Sequence, residues 1–418
     1  MNPLTVLTRE DEAARERLSD ANAAMVDRTC NWSAVNTGSW NTSGLKAFAP
    51  TLTDAFSALN ADVVAVPARP FEVVTNKGTL EAVETGPVIR VTARPDAPVQ
   101  VVMSGHYDTV FPPGTFEAIT PIDGGRINGP GLADMKGGLC VMLEALKAFE
   151  ASPLRDRVGY QIVMTPDEEI GNFASAWALT EAAQSGAVIG MTYEPSMETG
   201  HMSGGRKGSA VYDAVFKGRA AHAGRAKEDG RSAIEAAAAF TVGLEGLNGA
   251  RDGVTFNVGA IDGGGAVNIV PDLAVVRFGA RAPDADSAEW AQAQVDRLLG
   301  EAVSQDGLSG HVHGGFYRPP KPRNAAQQAL FDAVQATGAA IGLSLEFIDT
   351  GGVCEGNNIF AAGVPNVDTL GVQGGRIHSA EEYVVAESFA ERAALSALLL
   401  NRLADGRLDG AKIKSMMG

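Results

Sequence analysis

Met164-Thr165-Pro166-Asp167-Glu168-Glu169-Ile170-Gly171 is the stretch on which the reading of this chain turns. It continues Val158-Gly159-Tyr160-Gln161-Ile162-Val163, a short apolar run that reads as a buried strand. Two adjacent glutamates therefore stand where a strand gives out. Neighbouring carboxylates repel each other unless a cation or a shared proton relieves them. Past the end of a strand their side chains diverge, so each can take a different task. Alone, the run reads as a solvated acidic turn. The rest of the chain displaces that reading.

Upstream, Val99-Gln-Val-Val-Met-Ser-Gly is a continuous apolar strand that runs into His106-Tyr107-Asp108-Thr109-Val110. A loop rich in Gly and Pro follows, ending Gly129-Pro-Gly-Leu-Ala-Asp134-Met-Lys-Gly-Gly, and a helix is predicted over 136–150. Downstream, 173–185 reads as a helix, and Val188-Ile-Gly-Met-Thr-Tyr as a strand closing on Glu194-Pro195. Residues 8–30 and 45–60 read as amphipathic helices, followed by short strand candidates at 63–66, 79–83 and 88–92. This alternation predicts an α/β fold, a mixed, largely parallel sheet flanked by helices. In such sheets ligands sit beyond the carboxyl ends of strands. His106, Asp108, Glu168, Glu169 and Glu194 all fall just past strand candidates, so one rim is expected to gather them.

From about 207 the pattern changes. Strand 211–216, an Ala-rich helix 231–247, a hairpin of 254–260 with 273–280, helix 288–303 and strand 311–317 give a strand-helix-strand-strand-helix-strand order. That is the split βαβ pattern of a ferredoxin-like α+β unit inserted in the first fold. Its boundaries fall near 207 and 320. After it, helix 325–342, a turn at 350–358, strand 366–370 and helix 385–403 return to the α/β alternation of the first two hundred residues.

Of 418 residues, 45% are hydrophobic and 20% charged, which marks a globular chain with ample core. The formal charge of −16 argues against a nucleic-acid partner, whose binding rests on Lys and Arg. No apolar run is long enough to span a bilayer, so no membrane partner is expected. The N-terminus turns acidic at once without a secretory pattern, so the expected location is cytoplasmic. The three cysteines, Cys30, Cys140 and Cys354, are scattered and suit neither a disulfide framework nor a thiolate metal site.

Divalent metals take carboxylate and imidazole ligands, and His106, Asp134, Glu169, Glu194 and His378 offer that set. Singly, each has a bland explanation. Asp134 could cap the helix it precedes, and His378 could be a loop residue. As a set, in this order, the motifs resemble the zinc aminoacylase and carboxypeptidase family, which includes glutamate carboxypeptidase, acetylornithine deacetylase, succinyl-diaminopimelate desuccinylase and aminoacylase. The matching motifs are Ser-Gly-His106-Tyr-Asp108, Gly129-x-Gly-x-x-Asp134-x-Lys-Gly, Asp-Glu168-Glu169-x-Gly, Glu194-Pro and the late His378. The resemblance runs from about residue 36 to 403. It leans toward the glutamate carboxypeptidases, because Glu194 stands where deacylases often carry Asp.

The resemblance implies two zinc ions, with cobalt or manganese as possible substitutes. Asp134 would bridge them, His106 and Glu194 would complete one site, and Glu169 and His378 the other. Asp108 would orient the His106 imidazole, Glu168 would be the general base, and a non-prolyl cis peptide would join Asp134 to Met135. The implied reaction is cleavage of an amide or peptide bond by a metal-bridging hydroxide. It would release a C-terminal amino acid from a small-molecule substrate with a free carboxylate. The implied domains are a catalytic domain of 1–206 and 320–418 and an inserted lid and dimerisation domain of 207–319, in a homodimer. In Arg219-Ala-Ala-His222-Ala-Gly, His222 matches a lid histidine that hydrogen-bonds the oxyanion, in several members from the partner subunit. Asn268 matches a position near the substrate. Arg281 matches an arginine that grips the substrate carboxylate. Arg318 is a second candidate for that grip, equally readable as an ion-pair residue.

Two departures stand out. Gly279 occupies a position where the family often has Asp, and Gly351-Gly-Val-Cys354-Glu355-Gly-Asn357 replaces a loop that often reads Gly-Gly-x-Ser/Thr-Asp. The side chain of the released amino acid and the roles of Cys354 and Glu355 therefore stay open. One alternative is an N-acyl amino acid deacylase of other side-chain preference. A non-catalytic binding protein on the same fold is more remote, because every ligand and the base are present.

Overall fold

The computed structural model describes residues 2–417. Helix α1 (Arg9–Ser33) opens on a capping box: the Thr8 hydroxyl accepts the Asp11 N–H at 3.2 Å, and the Asp11 carboxylate accepts the Thr8 N–H at 3.0 Å. After α2 (Thr42–Phe56) come β1 (Asp62–Val66), a hairpin of β2 (Phe71–Val74) and β3 (Leu80–Val83), β4 (Val88–Ala93) and β5 (Val99–His106). The small strands β6 (Thr120–Ile122) and β7 (Arg126–Asn128) precede α3 (Gly138–Glu150), β8 (Val158–Thr165), α4 (Ala176–Gln184) and β9 (Ile189–Thr192). Next are β10 (Met202–Arg206), β11 (Gly208–Lys217), α5 (Ala233–Glu245), β12 (Thr255–Gly263), β13 (Leu273–Ala282), α6 (Ala285–Ala302) and β14 (Ser309–Arg318). The chain ends through α7 (Ala325–Ala339), β15 (Phe347–Thr350), α8 (Glu355–Ala361), β16 (Asn366–Val367), β17 (Gly374–Gly375), β18 (Tyr383–Val385), α9 (Ser388–Ala404) and α10 (Gly410–Lys414).

The central sheet has the order β1-β4-β8-β5-β9-β16. Strands β8, β5, β9 and β16 are parallel, and β4 and β1 extend one side antiparallel. Both faces are covered, which is why β8 and β5 read as continuous apolar runs rather than alternating ones. Val101 and Met103 of β5 join the core beneath α1, α3 and α9, while Val102 between them joins the core beneath α4 and α8.

The inserted elements form their own antiparallel sheet in the order β12-β13-β11-β14. Ala210, Tyr212, Ala214 and Phe216 alternate along β11 into a separate core with Ala236, Ala237 and Phe240 of α5 and Ala291 and Val295 of α6. The connection order is the ferredoxin-like one. The chain is thus α/β with a second, α+β unit.

Two expectations need correction. Residues 350–358 are not a simple turn: α8 begins at Glu355. The Asn357 side chain accepts the Cys354 N–H at 3.2 Å and donates to the Lys207 and Pro319 carbonyls at 3.0 and 2.8 Å, so tertiary contacts overrule a Gly-rich sequence. The strand read over 366–370 stops at Val367, and Thr369 adopts a left-handed φ of 64°. Among the described residues no helix is long and apolar enough to cross a membrane.

Candidate active site

Three neighbouring parallel strands deliver the site. His106 is the last residue of β5, Glu168 and Glu169 form a single helical turn after β8, and Glu194 follows β9. Parallel neighbours end on the same side, so these side chains meet at one rim. Asp134 arrives on a loop that enters through Gly131 at φ 64°, where an added Cβ would lie 2.6 Å from the Thr109 methyl. The buried Glu382 carboxylate holds that loop by accepting the N–H groups of Gly131, Ala133 and Asp134 at 3.1, 2.9 and 3.1 Å. Beyond it, the Asp134–Met135 peptide bond is cis. Lys136, also buried, donates to the Trp32 and Val35 carbonyls at 3.2 and 2.8 Å. His378 stands on the loop after β17 with half its side chain exposed.

The two oxygens of Asp134 face two different imidazoles. Oδ1 lies 3.1 Å from His106 Nε2, and Oδ2 lies 3.2 Å from His378 Nε2. Each imidazole meets a further carboxylate: His106 Nε2 is 3.8 Å from Glu194, and His378 Nε2 is 3.1 Å from Glu169. Glu168 Oε2 is 4.0 Å from His106 Nε2. Asp108 reaches more than the imidazole. Its Oδ1 sits 3.4 Å from His106 Nδ1, and its two oxygens accept the N–H groups of Glu168 and Glu169 at 3.0 and 3.1 Å. The Ser39 hydroxyl donates to it at 2.7 Å. One carboxylate thus ties the histidine strand to the glutamate turn.

Charge is crowded here. Burial, reinforced by Asp134, pushes the Glu169 carboxyl up to about 8. Burial also pushes Glu194 up to about 7, against its contacts with His106. Asp134 and Glu169 hold the His378 imidazolium up to about 11. Glu194 Oε1 is buried with no hydrogen-bond partner among the described residues. Carboxylates and imidazoles that converge with lone pairs to spare fit divalent cations. Two overlapping groups have that geometry, His106–Asp134–Glu169 and His106–Glu168–Glu194.

A cavity of about 600 Å³ opens over Asp134, Glu168, Glu169, Glu194 and His378, and four arginines line it. Arg376 is paired with Glu381 at 3.4 Å. Arg206 is engaged by Asp368 through two hydrogen bonds of 2.8 and 3.2 Å, with Lys321 on the same carboxylate at 2.7 Å. Arg318 pairs with Glu168 Oε1 at 2.8 Å and also donates to the Glu168 carbonyl and to Asn172. Of the two readings open for it, the structure displays the ion pair. Arg281 meets only the Ser209 hydroxyl and a backbone carbonyl among the described residues.

His222 and Asn268 are not in this cavity. Both are exposed on a tip of the inserted unit, where the Ala223 N–H donates to the Asn268 carbonyl at 2.9 Å. Cys354 is buried with its thiol 3.4 Å from Asp368, and Glu355 accepts the Thr165 hydroxyl behind the site. Sequence reasoning missed Arg206, Glu382 and Asp368. A single charge between short strands carries no periodic signal, and their partners lie far away along the chain.

The family model of Peptidase family M20/M25/M40 matches residues 102–402. Carboxypeptidase G2 of Pseudomonas sp. (strain RS-16) is 28% identical over 318 residues, covering 73% of this chain and 74% of its own. Succinyl-diaminopimelate desuccinylase of Nitrosospira multiformis is 29% identical over 330 residues, covering 73% and 84%. An M20 family metallo-carboxypeptidase from Sulfolobus solfataricus superposes with a TM-score of 0.70 at 16% identity, covering 91% of this chain and 99% of its own. A tripeptidase from Staphylococcus aureus gives 0.69 at 25% identity, covering 94% and 99%. With the family model spanning the strand ends, the inserted unit and the late histidine alike, this chain belongs to Peptidase family M20/M25/M40 and is a metal-dependent hydrolase of peptide or acyl-amino-acid bonds.

Proposed function

We propose that the chain is a dizinc amidohydrolase that releases a C-terminal amino acid bearing a free α-carboxylate, with a glutamate-like residue as the first substrate class. The observation that carries this is the pairing of Asp134's two oxygens with two imidazoles, each backed by its own glutamate. His106, Glu194 and Asp134 would hold one cation, and Asp134, Glu169 and His378 the other. Bound there, the cations supply Lewis acidity toward the scissile carbonyl and toward water. Cobalt or manganese would suit the same ligands.

Glu168 is the proton carrier. Arg318 holds its Oε1 at 2.8 Å, which leaves Oε2 turned toward His106. From there it takes a proton from water and passes it to the leaving nitrogen. Asp108 keeps Glu168 and His106 in register. Arg281, the cavity guanidinium without a carboxylate partner, grips the substrate carboxylate through its paired N–H groups. Arg318 serves the base rather than the substrate. The second reading, an N-acyl amino acid deacylase of other side-chain preference, draws support from the desuccinylase relatives and from the altered loop at Cys354–Glu355.

The chain divides, in this reading, into a catalytic body of 1–206 and 320–418 and a lid of 207–319. Val242 of α5, Ile261 of the edge strand β12 and Val267 and Ile269 of the tip are exposed apolar residues that suit self-association as a homodimer. His222 and Asn268 sit on that same tip, so they would act at the cavity of a second copy. Metal analysis tests the core of the reading: two ions per chain are expected, and a protein that takes up none after incubation with zinc would contradict it.

A further inference from the structure

The turn that carries Glu168 and Glu169 is followed by two residues in left-handed conformations, Gly171 at φ 117° and Asn172 at φ 56°. Asparagine is one of the few residues with a side chain that adopt this region readily. The Asn172 N–H donates to the Asp167 carbonyl at 2.8 Å, so the turn closes around the two glutamates. The Asn172 side chain is buried, 1% exposed.

Its amide has three partners. Oδ1 accepts from Arg318 at 2.7 Å, and Nδ2 donates to the Thr165 and Ser175 hydroxyls at 3.2 and 3.1 Å. A guanidinium can only donate, so the amide oxygen must face Arg318 and the NH2 group must face the two hydroxyls. Each hydroxyl, having accepted there, gives its own hydrogen to a carboxylate: Thr165 donates to Glu355 and Ser175 to Asp167. Asp167 is held further by the Ala174 N–H at 2.6 Å. The hydrogen bonds thus run in one direction, from Arg318 through Asn172 to two buried carboxylates. Thr165 closes β8, Glu355 opens α8 and Ser175 precedes α4, so three elements anchor the network. Turning the amide over would leave buried groups unpaired at both of its ends, so its orientation is fixed.

The other partner of Arg318 is the base. The guanidinium nitrogen that Asn172 engages lies 2.8 Å from Glu168 Oε1 and also donates to the Glu168 carbonyl. Among the described residues, Asn172 is the only side chain apart from Glu168 that accepts a hydrogen bond from Arg318. Arg318 reaches the site from β14 of the inserted sheet, so its place over Glu168 depends on what the catalytic unit offers it.

We propose that Asn172 is a positioning residue for the reaction: it fixes the Arg318 guanidinium against Glu168, so that Oε1 stays tied and Oε2 stays free to carry the proton. This rests on the reading of Glu168 as the proton carrier. It also gives Glu355 a task, as the far anchor of the network that holds the Asn172 amide.

Asn172→Asp keeps the shape, loses both donors and sets a second carboxylate against Arg318 in competition with Glu168. Asn172→Gly removes the amide and suits the left-handed backbone. With metal content unchanged, both should lower kcat about ten- to a hundredfold and leave KM within about twofold, as for a small displacement of a reacting group. In a Glu168→Gln background the same substitutions should lower kcat no further, because residues that act as a unit are not additive. An unchanged kcat overturns the proposal, and so does a raised KM at constant kcat, which would assign Arg318 to the substrate. A full additional loss in the Glu168→Gln background overturns it as well. If the wild-type enzyme turns over no substrate, the hydrolase reading fails on its own, and crystal structures then decide the positioning. Arg318 displaced from Glu168 in Asn172→Gly upholds it, and an unmoved contact overturns it.

Discussion

Glu168 and Glu169 are adjacent in sequence yet divided in surroundings. Glu169 faces His378, whereas Glu168 is held by Arg318. Glu168→Gln keeps the shape and removes the proton acceptor. Metal content should stay unchanged while kcat drops by about 10²–10⁴; turnover near wild type would refute the assignment. Arg281→Ala removes the proposed carboxylate grip. We expect KM to rise about ten- to a hundredfold with a smaller effect on kcat, as for one charged hydrogen-bonded contact. The counterpart at the metal loop is Glu382. Its three backbone contacts fix the Asp134 loop without touching the ligand oxygens. Glu382→Ala should weaken zinc affinity by about 10–100-fold, read by competition with a chelator. The proposed ligands and base were legible because each ends an apolar strand or sits in a spaced motif. Glu382 was not, because it lies some 250 residues from the backbone it holds, in a run that reads as a solvated acidic turn.

At the level of elements, one buried carboxylate gathers partners from α1, α9 and the turn after α9. Asp11 closes the α1 capping box and also meets Asn401 at 3.1 Å, Arg407 at 3.1 Å and Arg402 at 3.7 Å. Burial opposes its charge, but these partners and the Thr8 N–H hold its carboxyl below the usual carboxylate range. A carboxyl depressed by folding stabilises the fold above its unfolded value near 4, and that contribution is lost as pH falls through the lower folded value. Asp11→Ala should therefore cost about 3 kcal/mol at neutral pH. The difference from wild type should shrink as denaturation is followed down toward pH 2. A pH-independent difference would point to packing alone. The sequence announced α1 by its length and pattern, and the β5, β8 and β9 strands by their apolar runs. It showed β3 within the 79–83 candidate but hid its hairpin partner β2, a four-residue strand whose packing partners, Val215 and Val275, belong to the inserted sheet. It hid α8 for the same reason, since Asn357 gains its partners only in the folded chain.

On the scale of the whole molecule, the insertion sets where substrate can sit. The central sheet and the loops around it carry the proposed ligands, whereas Arg281 and Arg318 come from the inserted sheet, so both units line the cavity. His222 and Asn268 remain at an exposed tip of one chain. Light scattering should give the mass of a dimer, and His222→Ala should then lower kcat with metal content intact. A monomeric mass would remove both residues from the reaction. The most direct test of the account is mass-spectrometric hydrolysis of a panel of N-acyl and N-aroyl amino acids, folate-type conjugates and dipeptides, run with zinc and again after chelation. The account predicts zinc-dependent release of one amino acid with a free α-carboxylate, abolished by the chelator. Release that persists after chelation, or a zinc-loaded enzyme that cleaves nothing in the panel, would contradict it.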